Sequence, residues 1–376
     1  MFRSMIFGQA HRRSTGWILL VAVAGWLGSG WVVAAATFPE VVREVRANIL
    51  ADFAPKVPGL SVAVAREGKL IWSEGFGLAD WEAKKPVTTH SLFRVGSVAK
   101  PLTAAGLMLL VEHGKVELDA DIHHYVPDFP DKGQRITTRQ LAGHLAGIRH
   151  YQGEEFYLNR HFATVREGLR IFEKDPLLSV PGEKYTYSSY GFNLIGRVME
   201  AAAGKDFLTY MDTAVFRPLA MTNTIPDDAT RVMAQRTRFY RIGSGGGFEL
   251  EPAVDNSYKW AAGGFLSTPE DLVIFGSAHL QPGFLTEASL KALFTSQKTR
   301  DGKPTGYGMG WEITQDRNGH LIWMHTGGAV GGTTILMIRP DIRMVLALTA
   351  NCTDAPLSKS HPAAIVDAFA ALFHPT

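Results

Sequence analysis

A serine and a lysine that could do nucleophilic chemistry stand three positions apart in residues 93–101. Pro101 fits only the first turn of a helix, so Ser97 is predicted at or just before a helix amino terminus, with Lys100 one turn along on the same side. A serine hydroxyl becomes a nucleophile when a neighbouring base takes its proton, and a neutral lysine can be that base. The alternative is that Ser97 only caps the helix and Lys100 is a solvated charge.

A second segment, residues 181–193, leads from a proline–glycine turn into a helix that is predicted to start near Gly191. Tyr187 could carry a proton between the serine and a leaving group if nearby positive charge lowers its pKa. The alternative is a tyrosine that only packs. Three tyrosines lie within six residues here, so spacing alone does not choose among them.

A third segment, residues 323–332, contains His325, Thr326 and four glycines. Glycines beside a strand let a second backbone approach closely, as a substrate bound along the strand edge would require. His325 and Thr326 could hold a carboxylate, and a following backbone N–H could complete an oxyanion hole. The alternative is a glycine-rich loop at the end of a strand.

The composition indicates a globular protein without the excess of basic residues that is typical of nucleic-acid binding. Of 376 residues, 46% are hydrophobic and 20% are charged. The chain has 38 basic and 36 acidic residues, and its first 36 residues hold three arginines and no acid, so the remainder has 35 basic against 36 acidic residues, a net charge of −1. A single cysteine, Cys352, excludes an intramolecular disulfide. No metal-pair spacing of histidines is found, and nothing indicates an oligomeric state.

The amino terminus has the features of a targeting segment. Arg12 and Arg13 precede an apolar stretch that ends in three alanines, with a predicted signal-peptide cleavage after Ala36. The alternative is an uncleaved membrane anchor, since residues 17–36 are about long enough to span a bilayer. Either interpretation places residues 37–376 outside the inner membrane, in the periplasm or secreted.

The elements that must position these residues indicate an α+β fold. Apolar periodicity predicts helices over residues 39–53 and 102–113, and Glu67-Gly68-Lys69 is typical of a hairpin turn. Further strands are predicted over residues 308–313, 320–325, 333–338 and 344–349, and residues 243–247 are predicted to tip a hairpin. We expect an antiparallel sheet built from both termini and flanked by helices (about 37–96 and 296–376), with a mostly helical inserted lobe (about 97–295).

Taken together and in order, Ser97-x-x-Lys100, Tyr187-Ser188-Ser189 and His325-Thr326-Gly327 resemble the three motifs of the penicillin-recognising serine hydrolases. This family includes class C beta-lactamases, D-alanyl-D-alanine carboxypeptidases and related esterases. Residues 143–148, 263–272 and 307–311 also fit, and the third motif looks most similar to the mitochondrial beta-lactamase-like serine protease branch. The resemblance covers roughly residues 40–370.

The resemblance implies a role for each motif residue. Ser97 would be the acylated nucleophile, Lys100 and Tyr187 would share its proton, and the backbone N–H groups of Ser97 and Gly328 would form the oxyanion hole. Ser189, His325 and Thr326 would bind substrate. No metal or organic cofactor is implied.

Two departures from the class C pattern bear on the substrate. The second motif ends in Ser189 instead of asparagine, and the third begins with His325 instead of lysine, a weaker cation at neutral pH. We therefore expect an exported hydrolase acting through an acyl-enzyme on a peptide, amide or ester, with beta-lactams less favoured. The alternative function is a non-catalytic binding or filament-forming protein that keeps the fold.

Overall fold

The computed structural model describes residues 36–53, 56–357 and 360–373. Residues 1–35, which form all but the last position of the predicted signal peptide or membrane anchor, therefore lie outside the described residues. Within the described ranges, no helix combines the length and the apolar character that crossing a bilayer would require.

The helices and strands are numbered along the chain. The helices are α1 Phe38–Asp52, α2 Ala99–Glu112, α3 Thr138–Ala142, α4 Val165–Leu169, α5 Ser189–Ala203, α6 Phe207–Met211, α7 Trp260–Gly263, α8 Pro269–Ser277, α9 Glu287–Leu293 and α10 Ser360–Ala370. The strands are β1 Gly59–Arg66, β2 Lys69–Asp80, β3 Lys85–Pro86, β4 Phe93–Arg94, β5 Ile225–Pro226, β6 Tyr240–Ile242, β7 Phe248–Leu250, β8 Phe265–Ser267, β9 Glu312–Gln315, β10 Leu321–Ala329, β11 Gly332–Arg339 and β12 Met344–Ala350.

The large sheet joins strands from both ends of the chain. Its strand order is β3-β2-β1-β12-β11-β10-β9, and the neighbouring strands are antiparallel. β1 pairs with β12, with Val62 opposite Leu348. The helices α2 to α9 come from the sequence between β4 and β9. The predicted α+β class with an antiparallel sheet is confirmed.

Most predicted elements occur where the sequence pattern places them. Glu67 and Gly68 take positive φ values of 50° and 80° in the turn between β1 and β2, which is the backbone that a two-residue hairpin needs. Residues 243–247 connect β6 and β7, as predicted. Two boundaries are wrong: β10 continues to Ala329 instead of ending at His325, and β9 begins at Glu312 and not at Gly308. Gly310 has a φ of 78°, which turns the chain out of an extended path before the strand starts.

The two faces of the large sheet bury different cores. On β1, Val62 and Val64 belong to the cluster that α1 and α10 cover, whereas Ala63 and Ala65 belong to the cluster that contains the inserted helices. The small alanine side chains let α8 lie close to the sheet. A Cβ at Gly276 on α8 would meet Val345 Cγ1 at 2.5 Å.

The chain before α2 touches the backbone of β10. A Cβ at Gly327 would lie 2.0 Å from Val95 O and 3.2 Å from Ser97 N, and one at Gly96 would lie 2.6 Å from Gly328 O. Real Cβ atoms do not approach backbone so closely, so only glycine allows these two segments to meet. This contact fixes the start of α2 against the large sheet.

Replacing Gly327 by alanine should lower the free energy of unfolding by about 1–3 kcal/mol, because overpacking forces the two backbones apart. Gly328→Ala is the matched control, since a Cβ there meets no heavy atom within 4 Å. Urea denaturation of both variants measures the difference. Equal stability of the two variants would contradict the packing argument.

Candidate active site

Ser97 lies at the amino-terminal end of the buried helix α2. It occupies the middle of a 3-10 turn, Gly96–Val98, that runs directly into α2, and Gly96 has a φ of 51°. α2 is buried along most of its length because it packs on α5 and α7. The Ser97 side chain is half-buried and lines a cavity of about 370 Å³. The serine predicted as nucleophile is thus on a rigid support and open to a ligand.

Lys100 is fully buried beside this serine. Its Nζ lies 2.9 Å from Ser97 Oγ, 3.1 Å from Ser189 Oγ and 3.1 Å from the Ala262 carbonyl oxygen. Burial, and then the positive charge of Lys259, hold the pKa of Lys100 well below the ordinary value of 10.5.

The three neighbours of Lys100 suit a neutral amine. A neutral amine has two N–H bonds and one lone pair. If the N–H groups donate to Ser189 Oγ and to the Ala262 carbonyl, the lone pair is left for the hydroxyl proton of Ser97. The predicted proximity of serine and lysine is therefore present, and Ser189 contacts the lysine in addition to lining the cavity.

Tyr187 lies close to both groups, but its acidity differs from the prediction. Lys100 Nζ is 4.8 Å from the centre of its ring, and hydrogen bonding from the Ser97 side chain favours its phenolate form. Burial nevertheless dominates and raises the pKa of Tyr187 well above its ordinary value of 10.0. The expected lowering by positive charge is wrong, because the ring is enclosed. Tyr187 keeps its proton at neutral pH.

Two histidines fix the segment that carries Tyr187 and Ser189. His144 Nδ1 accepts a hydrogen bond from Ser188 N at 3.2 Å, and His150 Nδ1 accepts one from Ser189 N at 3.2 Å. Burial, together with nearby cations, lowers the pKa of His150 to about 3, so its ring stays neutral and can accept. These histidines serve the second motif as acceptors, a contact that sequence spacing does not reveal.

The predicted oxyanion-hole residues lie on the same cavity. Ser97 and Gly328 both line it. β9 pairs with β10 only from Leu321 to Met324, so in the described part of the chain the rest of β10 has a strand partner on one side only, β11. The turn that holds Ser97 packs against β10 at Gly327 and Gly328. An extended ligand could therefore lie along this edge of β10.

His325 is placed differently from the prediction of a carboxylate-binding side chain. It is buried, with Nδ1 2.6 Å from Thr326 O and Nε2 2.8 Å from the phenol oxygen of Tyr307. A neutral imidazole that donates from Nδ1 and accepts at Nε2 satisfies both contacts. His325 does not line the cavity among the described residues, whereas Thr326 beside it is half-buried.

Two residues near this site are not among those that the motifs predict. Tyr307, whose phenol oxygen contacts His325 Nε2, lies in residues 307–311, which fit the family pattern without a predicted role for this tyrosine. Lys259 lines the cavity together with Ser97. The only sequence signal for Lys259 is a lone charge in the otherwise uncharged run 256–269. Such a charge also occurs on ordinary surfaces, so only the tertiary structure reveals its position.

Comparisons with known proteins agree with this geometry. Residues 38–370 match the family model described as Beta-lactamase. The chain is 31% identical to the serine beta-lactamase-like protein LACTB, mitochondrial, of Homo sapiens, covering 76% of this chain and 69% of that protein. It is 28% identical to a D-aminopeptidase of Gluconobacter oxydans, covering 73% of this chain and 52% of that protein. The octameric penicillin-binding protein homologue of Pyrococcus abyssi shares the fold, with a TM-score of 0.76 at 24% identity over 89% of this chain and 78% of that one.

The pH dependence of Ser97 acylation should follow the proton on Lys100. Only the neutral amine can accept the serine proton, so the rate should rise with pH through a pKa well below 10.5. Lys100→Arg, which stays protonated, should lower the rate by about 10²–10⁴-fold. The acylation burst with p-nitrophenyl acetate measures this rate across pH.

Lys69→Arg, at an exposed position at the start of β2, is the matched control and should behave as the wild type. A rate that rises only near pH 10.5, or an active Lys100→Arg variant, would exclude Lys100 as the base.

Proposed function

We propose that this chain, which belongs to the beta-lactamase family, hydrolyses small peptides or amides through an acyl-enzyme on Ser97. The chain is a serine hydrolase of the penicillin-recognising group. The observation that supports an acyl-enzyme on Ser97 is the 2.9 Å contact between Ser97 Oγ and the buried Nζ of Lys100. A desolvated amine, whose neutral form is favoured by burial, is the group that a serine nucleophile needs.

Acylation would begin as Ser97 Oγ attacks the substrate carbonyl carbon while its proton moves to Lys100 Nζ. The carbonyl oxygen becomes an oxyanion that the backbone N–H groups of Ser97 and Gly328 would stabilise. Losing one such donor typically costs about 2.7–4 kcal/mol of transition-state stabilisation. The acyl–nitrogen bond then breaks, and an ester to Ser97 remains.

The leaving nitrogen needs a proton, and Tyr187 would supply it. Its raised pKa means that the phenol holds its proton until a strong base appears, as the leaving nitrogen is while the acyl–nitrogen bond breaks and negative charge builds on it. The ammonium of Lys100, 4.8 Å from the ring centre, can then restore the phenol proton. For hydrolysis of the ester, a water gives its proton to the same groups in reverse, and Ser97 leaves as the free hydroxyl.

The substrate class is inferred from the site and from named relatives. The D-aminopeptidase relative points to peptide or amide bonds. Ser189 has no amide with which to bind the side-chain amide of a beta-lactam, and its hydroxyl already contacts Lys100. Both ring nitrogens of His325 are also bonded within the protein. The site therefore favours small peptides, amides or activated esters over beta-lactams.

The place of action is proposed to be the periplasm or the medium. The apolar segment ending at Ala36 supplies a signal-peptide pattern. The first described helix starts just after it, and the Glu40 carboxylate accepts a hydrogen bond from Thr37 N at 2.8 Å. Cleavage after Ala36 would turn that nitrogen into an ammonium group, to which the Glu40 carboxylate would still be bonded.

A substrate screen tests the activity. D-alanyl-D-alanine peptides, short-chain p-nitrophenyl esters and nitrocefin should be compared side by side, and we expect turnover of the first two to exceed that of nitrocefin. Ser97→Ala should abolish the turnover and also the labelling by a fluorophosphonate, with mass spectrometry locating the adduct on Ser97. Ser244→Ala, in the exposed tip between β6 and β7, is the control and should keep both. Stoichiometric labelling of any other residue would refute the mechanism.

Amino-terminal sequencing tests the export. The chain recovered from the periplasm or medium should begin at Thr37, because the small residues at Ala34 and Ala36 suit the signal peptidase. A chain that stays in the membrane fraction and still begins at Met1 would instead support the anchor alternative.

A further inference from the structure

A second buried lysine lines the cavity beside Ser97 and plays no part in the proposed mechanism. Lys259 is 3% exposed, yet its side chain forms part of the cavity wall. Its Nζ lies 4.5 Å from the ring centre of Phe156, 5.1 Å from that of Tyr258 and 5.6 Å from that of Tyr151. Within the described ranges, no hydrogen bond or ion pair of this Nζ is found.

The carboxylate of Asp227, whose charge acts on Lys259, is already bonded to two arginines. Asp227 Oδ2 is 2.7 Å from Arg94 Nε, and Asp227 Oδ1 is 2.6 Å from Arg236 Nη2. Lys100 is also close enough for its charge and that of Lys259 to repel each other. Asp354 borders the same cavity, but in the described part of the chain no ion pair joins it to Lys259. Lys259 therefore has no carboxylate partner among the described residues.

Near neutral pH the amine of Lys259 is divided between its neutral and its protonated form. Burial is the largest cause and lowers its pKa to about 7, Arg94 lowers it further, and Asp227 opposes the shift. The aromatic faces of Tyr151 and Phe156 offer the ammonium a weak attraction, smaller than that of a carboxylate. An anion entering the cavity would favour the protonated form and would supply the partner that the protein itself does not.

We propose that Lys259 is a specificity-determining residue whose ammonium binds a carboxylate on the acyl part of the substrate. Ser97 and Gly328, where the acyl group would be bonded and its oxyanion held, line the same cavity as Lys259. An acyl group on Ser97 would therefore share this cavity with the ammonium. The inference rests on the proposed hydrolase function and adds its substrate class: peptides or amides with an acidic residue on the acyl side of the cleaved bond.

This carboxylate site is separate from the one predicted at His325. The imidazole of His325 is bonded on both nitrogens, to Tyr307 and to the Thr326 carbonyl, whereas the Nζ of Lys259 keeps its donors for a ligand. Tyr151 and Phe156 border the same cavity, so a short carbon chain can pack on their rings while its carboxylate reaches the ammonium.

The test compares the p-nitroanilides of N-acetyl-aspartate and N-acetyl-asparagine, each in the D and L forms. They differ by one charge at nearly constant shape. The wild type should prefer the aspartyl substrate by about tenfold or more in kcat/KM, the size expected from one charge-assisted hydrogen bond. In Lys259→Met, which fills the same space without charge, kcat/KM for the aspartyl substrate should fall by a similar factor. The ratio of aspartyl to asparaginyl kcat/KM, in which any change in the basicity of Lys100 cancels, should therefore fall to about one. Lys259→Arg should restore the preference.

The possible outcomes separate this inference from the proposed function. Equal cleavage of the two wild-type substrates, a preference for the asparaginyl one, or cleavage of neither by an enzyme that a fluorophosphonate still labels at Ser97 would overturn the role of Lys259 and leave the serine mechanism intact. An equal loss on both substrates in Lys259→Met would also overturn it, since that result indicates a structural or catalytic role. Absence of labelling at Ser97 in the wild type would refute the proposed function itself.

Discussion

The site depends on one buried amine that has no carboxylate partner among the described residues. Enclosing an ammonium without a counter-ion is strongly unfavourable, so burial favours the neutral form of Lys100, and the neutral form is the one that can take a proton. An aspartate or glutamate beside Lys100 would stabilise the charge and remove the basicity. Instead its neighbours are two hydroxyls and a carbonyl oxygen, which tolerate either protonation state. The burial of Lys100 in α2 is therefore required for its basicity as well as for the packing of the helix.

The second constraint is a close approach of two backbones. Side chains are excluded where β10 meets the turn before α2, so the N–H groups of Ser97 and Gly328 are placed by main-chain packing and not by adjustable side chains. Such donors are held in position before any charge develops on the substrate, which is why they stabilise a transition state effectively. The same contact joins the sheet, formed from both chain ends, to the helices inserted between them.

The cavity next to this contact has an uneven distribution of charge. Near Lys259, Arg94 and Arg236 share the carboxylate of Asp227, and Lys259 Nζ lies against aromatic rings. Asp354 also borders the cavity, but no ion pair joins it to Lys259 among the described residues. A protein that needed only stability would place an acid or an apolar residue at this position, because an unpaired buried ammonium is unfavourable. Its presence on the wall of the substrate cavity is most simply explained by a ligand that brings the missing charge. In the proposed function Ser97 supplies the nucleophile, and the wall of the cavity would determine which substrates bind.

The sequence by itself determined the elements and the identity of the reacting groups. Local rules apply to these features: Pro101 limits where α2 can begin, and Glu67-Gly68 needs a hairpin turn. Only the tertiary structure decided the protonation states and the hydrogen-bond partners of these groups, because both depend on what surrounds a group in space. Tyr187 was expected to be more acidic, but its enclosure makes it less so, and His325 proved to be bonded on both nitrogens. Lys259 became visible only when segments distant in sequence enclosed one cavity.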